Sequence, residues 1–92
     1  RFDHTRGTSP QFGIDLEPNH PSDFLEDINI IGAQTDANYG GGILIVLQRL
    51  NKSSPKVTIR IEGHVSIGEQ KPYRTVGVEG VPGSIYYSKG SP

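Results

Sequence analysis

Three histidines, His4, His20 and His64, are the side chains that titrate near neutrality without special surroundings. Metal-free general acid–base chemistry would need an imidazole and a second proton-transfer group facing one substrate, with a cation to meet developing charge. Glu62-Gly63-His64 sets a carboxylate near an imidazole, and Arg60 lies two residues before Glu62. His64, Glu62 and Arg60 are therefore the residues a small hydrolase or nuclease would use. Asp3-His4 repeats the neighbourhood, but His4 falls in a polar arm and His20 stands between prolines, so solvated histidines are the expectation there.

Two other patterns could bind rather than react. Tyr39, Tyr73, Tyr86 and Tyr87 offer flat contact area with a polar tip, which suits sugars, bases or a protein partner. Adjacent Tyr86 and Tyr87 must point to opposite sides of a strand, one inward and one outward. Asp36-Ala37-Asn38 followed by glycines begins like a calcium loop of the EF-hand type, with Asp36 and Asn38 as the oxygen donors. Leu47 stands where the closing bidentate Glu belongs, so an ordinary Asx-rich turn is expected, with no metal and no cofactor. Asn51-Lys52-Ser53 is a glycosylation sequon in a turn, relevant only to a eukaryotic secretory route.

The elements that would position these residues are short strands. Lys56 to Glu62 alternates strictly, with Val57, Ile59 and Ile61 on one face and Thr58, Arg60 and Glu62 on the other. Before it, Ile43 to Leu50 reads as a buried strand after Gly40-Gly41-Gly42, and Asn51 to Pro55 has the length of a hairpin turn. Gln11 to Leu16, Ile28 to Gly32, His64 to Ile67, Tyr73 to Val78 and Ser84 to Tyr87 supply further strands. Ser22 to Asp27 is the one place for a helical turn, and Ala33 to Gly42 reads as a loop. No internal repeat stands out. The run from Leu47 to His64 is similar to the lead-in of the peptidoglycan-binding domain of the OmpA-like family. Val65-Ser66 follows where that family continues Gly-His-Thr-Asp, so its ligand-binding Asp is missing and nothing of its function is carried over.

Composition narrows the class. The 92 residues suffice for one domain, with only 33% hydrophobic residues, no Trp and no Cys, so the core is thin and no disulfide supports it. The longest apolar run is Ile43 to Leu47, too short to span a membrane as a helix. A net charge of −1 argues against nucleic acid. That total conceals a division, because residues 1–47 carry seven acids against two bases and residues 48–92 seven bases against three acids. Such halves either neutralise each other within one molecule or meet between neighbouring subunits, head to tail.

The expectation is an all-β domain, a small sandwich or partly closed barrel of six to eight short antiparallel strands organised on the Ile43 to Glu62 hairpin. Residues 1–10 form an N-terminal arm, 11–88 the domain and 89–92 a tail. The expected work is structural or adhesive, as a non-catalytic subunit or binding module of a larger assembly on an extracellular or virion surface. Its partners would be other protein chains, including copies of itself, with Phe2, Phe12, Tyr73, Tyr86 and Tyr87 as anchors. The alternatives are the hydrolase or nuclease centred on His64 and a carbohydrate-binding module using the tyrosines.

Overall fold

β-branched residues in alternation do form strands, and eight are seen in a computed structural model that describes residues 2–3 and 12–91. They are β1 (Phe2–Asp3), β2 (Phe12–Leu16), β3 (Ile28–Ile31), β4 (Gln34–Asp36), β5 (Gly41–Val46), β6 (Val57–Ile67), β7 (Tyr73–Val76) and β8 (Gly83–Lys89). There is no helix among the described residues. The fold is all-β, as expected, but its pairing is of another kind.

All six strand pairings among the described residues are parallel, where antiparallel pairing was expected. β2, β5 and β7 stack in that order as one sheet. The other sheet contains two ladders that share β6, with β3–β6–β8 along its first half and β1–β4–β6 along its second. The chain therefore winds β2, β3, β4, then β5 and β6, then β7 and β8, each coil resting on the one before. The architecture is a three-faced parallel β-solenoid of three coils. No barrel closes among the described strands, and their parallel pairing is not that of the antiparallel sandwich or partly closed barrel expected.

The hairpin expected over Ile43 to Glu62 is replaced by a corner. β5 and β6 lie in different sheets, because two successive turns join them, closed by Leu50 N to Leu47 O at 3.0 Å and Ser54 N to Asn51 O at 3.0 Å. Each bends the chain without reversing it. The run His64 to Ile67 is the continuation of β6, which turns at Gly63 in the left-handed region (φ 67°). Gly32, with the same φ of 67°, makes the equivalent corner one coil earlier, and its N–H donates to Glu62 O at 2.8 Å. The supposed loop Ala33 to Gly42 contains β4. Ser22 to Asp27 contains no helix; a turn at His20 to Asp23, closed by Asp23 N to His20 O at 3.0 Å, is held by the Asp23 carboxylate, which accepts from the N–H groups of Asn19 and His20 at 2.9 and 3.1 Å. Of the arm, Phe2–Asp3 is strand, paired to Thr35 and Asp36, and residues 1 and 4–10 lie outside the described residues. In the tail, Lys89 belongs to β8.

The core follows from the winding. Inward residues stack in rows, Ile28 under Ile59 under Ile85 and Ile14 under Ile43 under Tyr73. The buried apolar cluster is Ile43, Ile45, Leu47, Leu50, Val57, Ile59 and Ile61, every member from the middle coil. Ile14, Leu16, Ile28, Ile30, Tyr73, Ile85 and Tyr87 pack against it only partly buried.

Gly42 has a separate task. A Cβ there would stand 2.6 Å from His64 Cε1, Thr35 Oγ1 and Pro72 O, so the interior at this corner closes only around a bare backbone. Gly32→Ala would meet open space and suffer the left-handed strain alone, about 1–2 kcal/mol. Gly42→Ala is expected to cost more, about 1–3 kcal/mol from overpacking with loss of the His64 contacts besides. Urea denaturation of the two variants checks the order.

Candidate functional site

His64 lies inside the solenoid, fully buried, on the inward side of β6 just past the Gly63 corner. Its Nε2 is 2.8 Å from Thr35 Oγ1, and the Thr35 hydroxyl is 2.6 Å from Glu69 Oε1. Because a hydroxyl has one proton, donation to Glu69 leaves Thr35 to accept from an Nε2–H. Nδ1 is then the acceptor for the Tyr87 hydroxyl at 2.9 Å. Glu69 also accepts from Ser66 Oγ at 2.6 Å, from the Asn38 backbone N–H at 3.2 Å and from Asn38 Nδ2. One carboxylate thus gathers four donors from two successive coils. Asn38 Oδ1 is buried with no hydrogen-bond partner among the described residues.

Burial holds the His64 imidazole below its ordinary value, with the nearby Glu69 charge acting in the opposite sense. The ring is neutral at pH 7, in agreement with one donated and one accepted hydrogen bond. Burial also pushes the Tyr73 and Tyr87 hydroxyls up, helped by their mutual charge in the first case and by Glu69 in the second. Both are half-buried, their rings stacked at 4.2 Å between centroids and 9° between planes, closing the interior where the third coil has tyrosine in place of isoleucine.

Glu62 and Arg60 are not in this cluster. They point outward and bind each other, Nη2 to Oε1 at 2.6 Å and Nε to Oε1 at 2.9 Å, and the guanidinium sits 4.6 Å from the ring centroid of Tyr86. Tyr86 faces out and Tyr87 in, with Tyr86 48% exposed. Phe12 is buried at the start of β2. Asn38 is buried against Glu69, and Asp36 lies on β4; no group of three or more metal-binding side chains converges among the described residues. Phe2 pairs through its backbone in β1. The structure brings together His64 and Tyr87, and separately Arg60, Glu62 and Tyr86, and it adds Thr35, Ser66 and Glu69, which residue-type reasoning passed over. The available signal was spacing, since Thr35 lies opposite Ser66 in the β4–β6 register and Asn38 is 31 positions before Glu69.

The outer face around Tyr86 forms a groove of about 220 Å³ lined by Asp27, Asn29, Thr58, Arg60, Ser84 and Tyr86. These stand in two rows across the coils, Thr58 opposite Ser84, and Asn29 opposite Arg60 opposite Tyr86. Asp27 adopts φ 58°, and its N–H donates to Thr58 Oγ1 at 2.5 Å.

Two further surfaces are the ends. β2 and β3 have no strand on their outer side among the described residues, and neither do β7 and β8 at the opposite end. At the β7–β8 end, Leu47, Val57, Val78, Val81 and Ile85 line an open apolar recess of about 220 Å³. The first coil, residues 12–40, carries six acids and no Lys or Arg, whereas residues 71–91 carry Lys71, Arg74 and Lys89 against Glu79. Asp15, on β2, has its carboxyl pushed up to about 6, by desolvation first and then by a hydrogen bond and like charge from Glu17.

Fold and surfaces define a short parallel β-solenoid with a polar interior corner and two ends that no further strand covers among the described residues. No protein-family model, no curated protein and no solved structure matches the chain.

The interior network and Asp15 make opposite contributions to stability against pH. His64 has a folded value below its unfolded one, so its contribution is complete above about pH 6.5 and is lost as pH falls. Asp15 has a folded value above its unfolded one, so its contribution is present at low pH and is lost as pH rises through about 6. Urea denaturation at pH 7.5 and 5.5 should show Asp15→Asn losing more stability on acidification than the parent chain. Glu69→Ala, which strands Thr35, Ser66 and Asn38, should cost about 2–4 kcal/mol at either pH.

Proposed function

We propose that this chain is a non-catalytic structural module, a segment of β-solenoid that works by adding other protein chains to its uncovered ends. The observation that carries the reading is the distribution of burial. The apolar cluster sealed from solvent belongs to the coil with a coil on each side, and Ile14, Leu16, Ile28, Ile30, Tyr73, Ile85 and Tyr87 of the outer coils stay half-covered beside edges that no described strand pairs, although Phe12, Thr35 and Asn38 of the first coil are buried. In a solenoid each coil is stabilised by its neighbours, so an uncovered end is a surface with stability still to be gained. The His64 cluster supports the same reading from another side. Both ring nitrogens are engaged inside a closed interior, and Glu62 and Arg60 are on the outer face, so the three share no substrate-sized space.

The test is to join two copies of the chain in one polypeptide through a flexible Gly-Ser linker. If the ends accept a coil, the tandem unfolds as one unit with a melting temperature above that of the single chain, by about 2–4 °C for each kcal/mol gained in a unit of that size. Two independent transitions at the single-chain temperature would count against it.

A second reading is favoured by the groove on the outer face. Tyr86, stacked with Arg60, and the hydroxyl and amide groups of Thr58, Ser84 and Asn29 form a platform suited to a saccharide, whose apolar ring face meets the tyrosine and whose hydroxyls meet the polar groups. Titration calorimetry with cellohexaose, xylohexaose, maltohexaose and chitohexaose checks it. Binding that is lost in Tyr86→Ala and kept in Tyr39→Ala is the expected result, and absence of millimolar binding to all four removes it.

A further inference from the structure

We infer that the occupant of the uncovered ends is a second copy of this chain, stacked head to tail so that its first coil lies on the third coil of the copy below, in parallel register. This rests on the reading of the chain as a module that works through its ends.

Charge selects the orientation. The six acids of the first coil lie at one end of the solenoid axis, and the bases are shared by the other two coils, residues 41–70 carrying Arg49, Lys52, Lys56 and Arg60 against Glu62 and Glu69 and residues 71–91 carrying Lys71, Arg74 and Lys89 against Glu79, so one end is acidic and the other basic. Joining first coil to first coil would set six acids against six, and joining third to third would oppose Lys71, Arg74 and Lys89 to themselves. Head-to-tail contact sets acid against base. Like-charge juxtaposition at a contact costs several kcal/mol, so it discriminates strongly among these arrangements.

The strands give the same orientation and a definite register. Leu44 of β5 pairs with Asp15 on one side and with Arg74 on the other. Continuing the ladder by one coil puts Asp15 of the upper copy opposite Arg74 of the lower one. Both side chains face outward and are exposed, and strands at about 4.8 Å spacing bring them into contact. By the same rule Ile28 of the upper copy covers Ile85, Ile30 covers Tyr87 and Ile14 covers Tyr73, so the half-buried rows of both copies continue into one another. β1 already takes the outer side of β4, but β8 pairs no further along β6 than His64, so the row that β1 fills is one the third coil does not extend. The recess bounded by Val78, Val81 and Ile85 closes in the process. A contact of this kind is heterologous and leaves an end free on each added copy. The product is an open row of copies along the solenoid axis and not a closed dimer.

The experiment is native mass spectrometry with sedimentation velocity on the 92-residue chain across a concentration series, at low and moderate salt. The parent chain should give a ladder of multimers that shortens as salt rises. Arg74→Asp places a carboxylate opposite Asp15, and Asp15→Arg places a guanidinium opposite Arg74, so each variant alone should associate at least about tenfold more weakly. Mixed in equal amounts, the two variants set acid against base at every contact between unlike chains and should recover the ladder in alternation. A further pair fixes register. Asp15→Cys chains mixed with Arg74→Cys chains should form the unlike disulfide in preference to either like one, since the chain has no other cysteine. A parent chain that stays monomeric at both salts, variants that do not restore each other, or predominance of the like disulfides would overturn the inference. A stabilised tandem beside monomeric separate chains would overturn it while leaving the structural-module reading intact.

Discussion

A parallel coil cannot satisfy itself. Its strands have no neighbour within the coil to bond with, and its inner face has only the coils above and below to cover it, so every described strand depends on a segment about 25 to 33 residues away in the chain. This accounts for why a chain that is only 33% hydrophobic can hold a buried apolar cluster at all. Seven apolar residues of the middle coil are sealed because the first and third coils lie on them, and the inward isoleucines and tyrosines of those outer coils remain half-exposed for the same reason. The glycines serve the stacking too. Gly32 and Gly63 turn successive coils at one corner with the same left-handed backbone, so the faces stay in line.

At one corner the apolar rows give way to a polar set. Thr35, Asn38, His64, Ser66 and Glu69 come from two successive coils, with Tyr87 entering from the coil above. Apolar rows tolerate sliding by one step of the pleat in a way that directional bonds do not, since a displaced hydroxyl or imidazole would be left buried without a partner at a cost of about 1–3 kcal/mol. The network therefore fixes the register of β4 and β8 against β6. The narrowness of the interior at Gly42 supports this, because the His64 ring reaches Thr35 only where the facing strand has no side chain.

The strands themselves could be read from alternation, with Lys56 to Glu62 the clearest case, and so could the division of Tyr86 and Tyr87 between outside and inside. Pairing could not be read in the same way. Periodicity reports which face a residue takes and is silent about which strand lies beside it, and Asn51 to Pro55 has a length that suits reversal as well as a corner. A signal was present at longer range. Ile28-Asn29-Ile30-Ile31-Gly32 and Ile59-Arg60-Ile61-Glu62-Gly63 share Ile-x-Ile-x-Gly at the separation of one coil. Two copies make a weak repeat, and the third, at Ile85 to Gly90, is blurred by a shift of register between Ile61 and His64. The candidate site was split for a related reason. Glu62 and His64 are neighbours in sequence, but a corner glycine between them sends one side chain out and the other in, while Glu69 reaches His64 through Thr35 from the preceding coil.

The division of charge between the two halves changes its meaning once the winding is known. In a sandwich the halves could lie face to face and neutralise one another, and a net charge of −1 would be the whole account. In a solenoid, chain order becomes position along an axis, so the acids gather in the first coil and the bases in the second and third, which leaves one end acidic and the other basic. The charge of such a molecule is polarised along its axis. Edges and half-covered apolar rows face the same two directions. Three terms of different physical origin, namely hydrogen bonding, apolar burial and charge, are thus left unsatisfied at the same two surfaces and complementary between them, whereas the side faces carry no comparable coincidence.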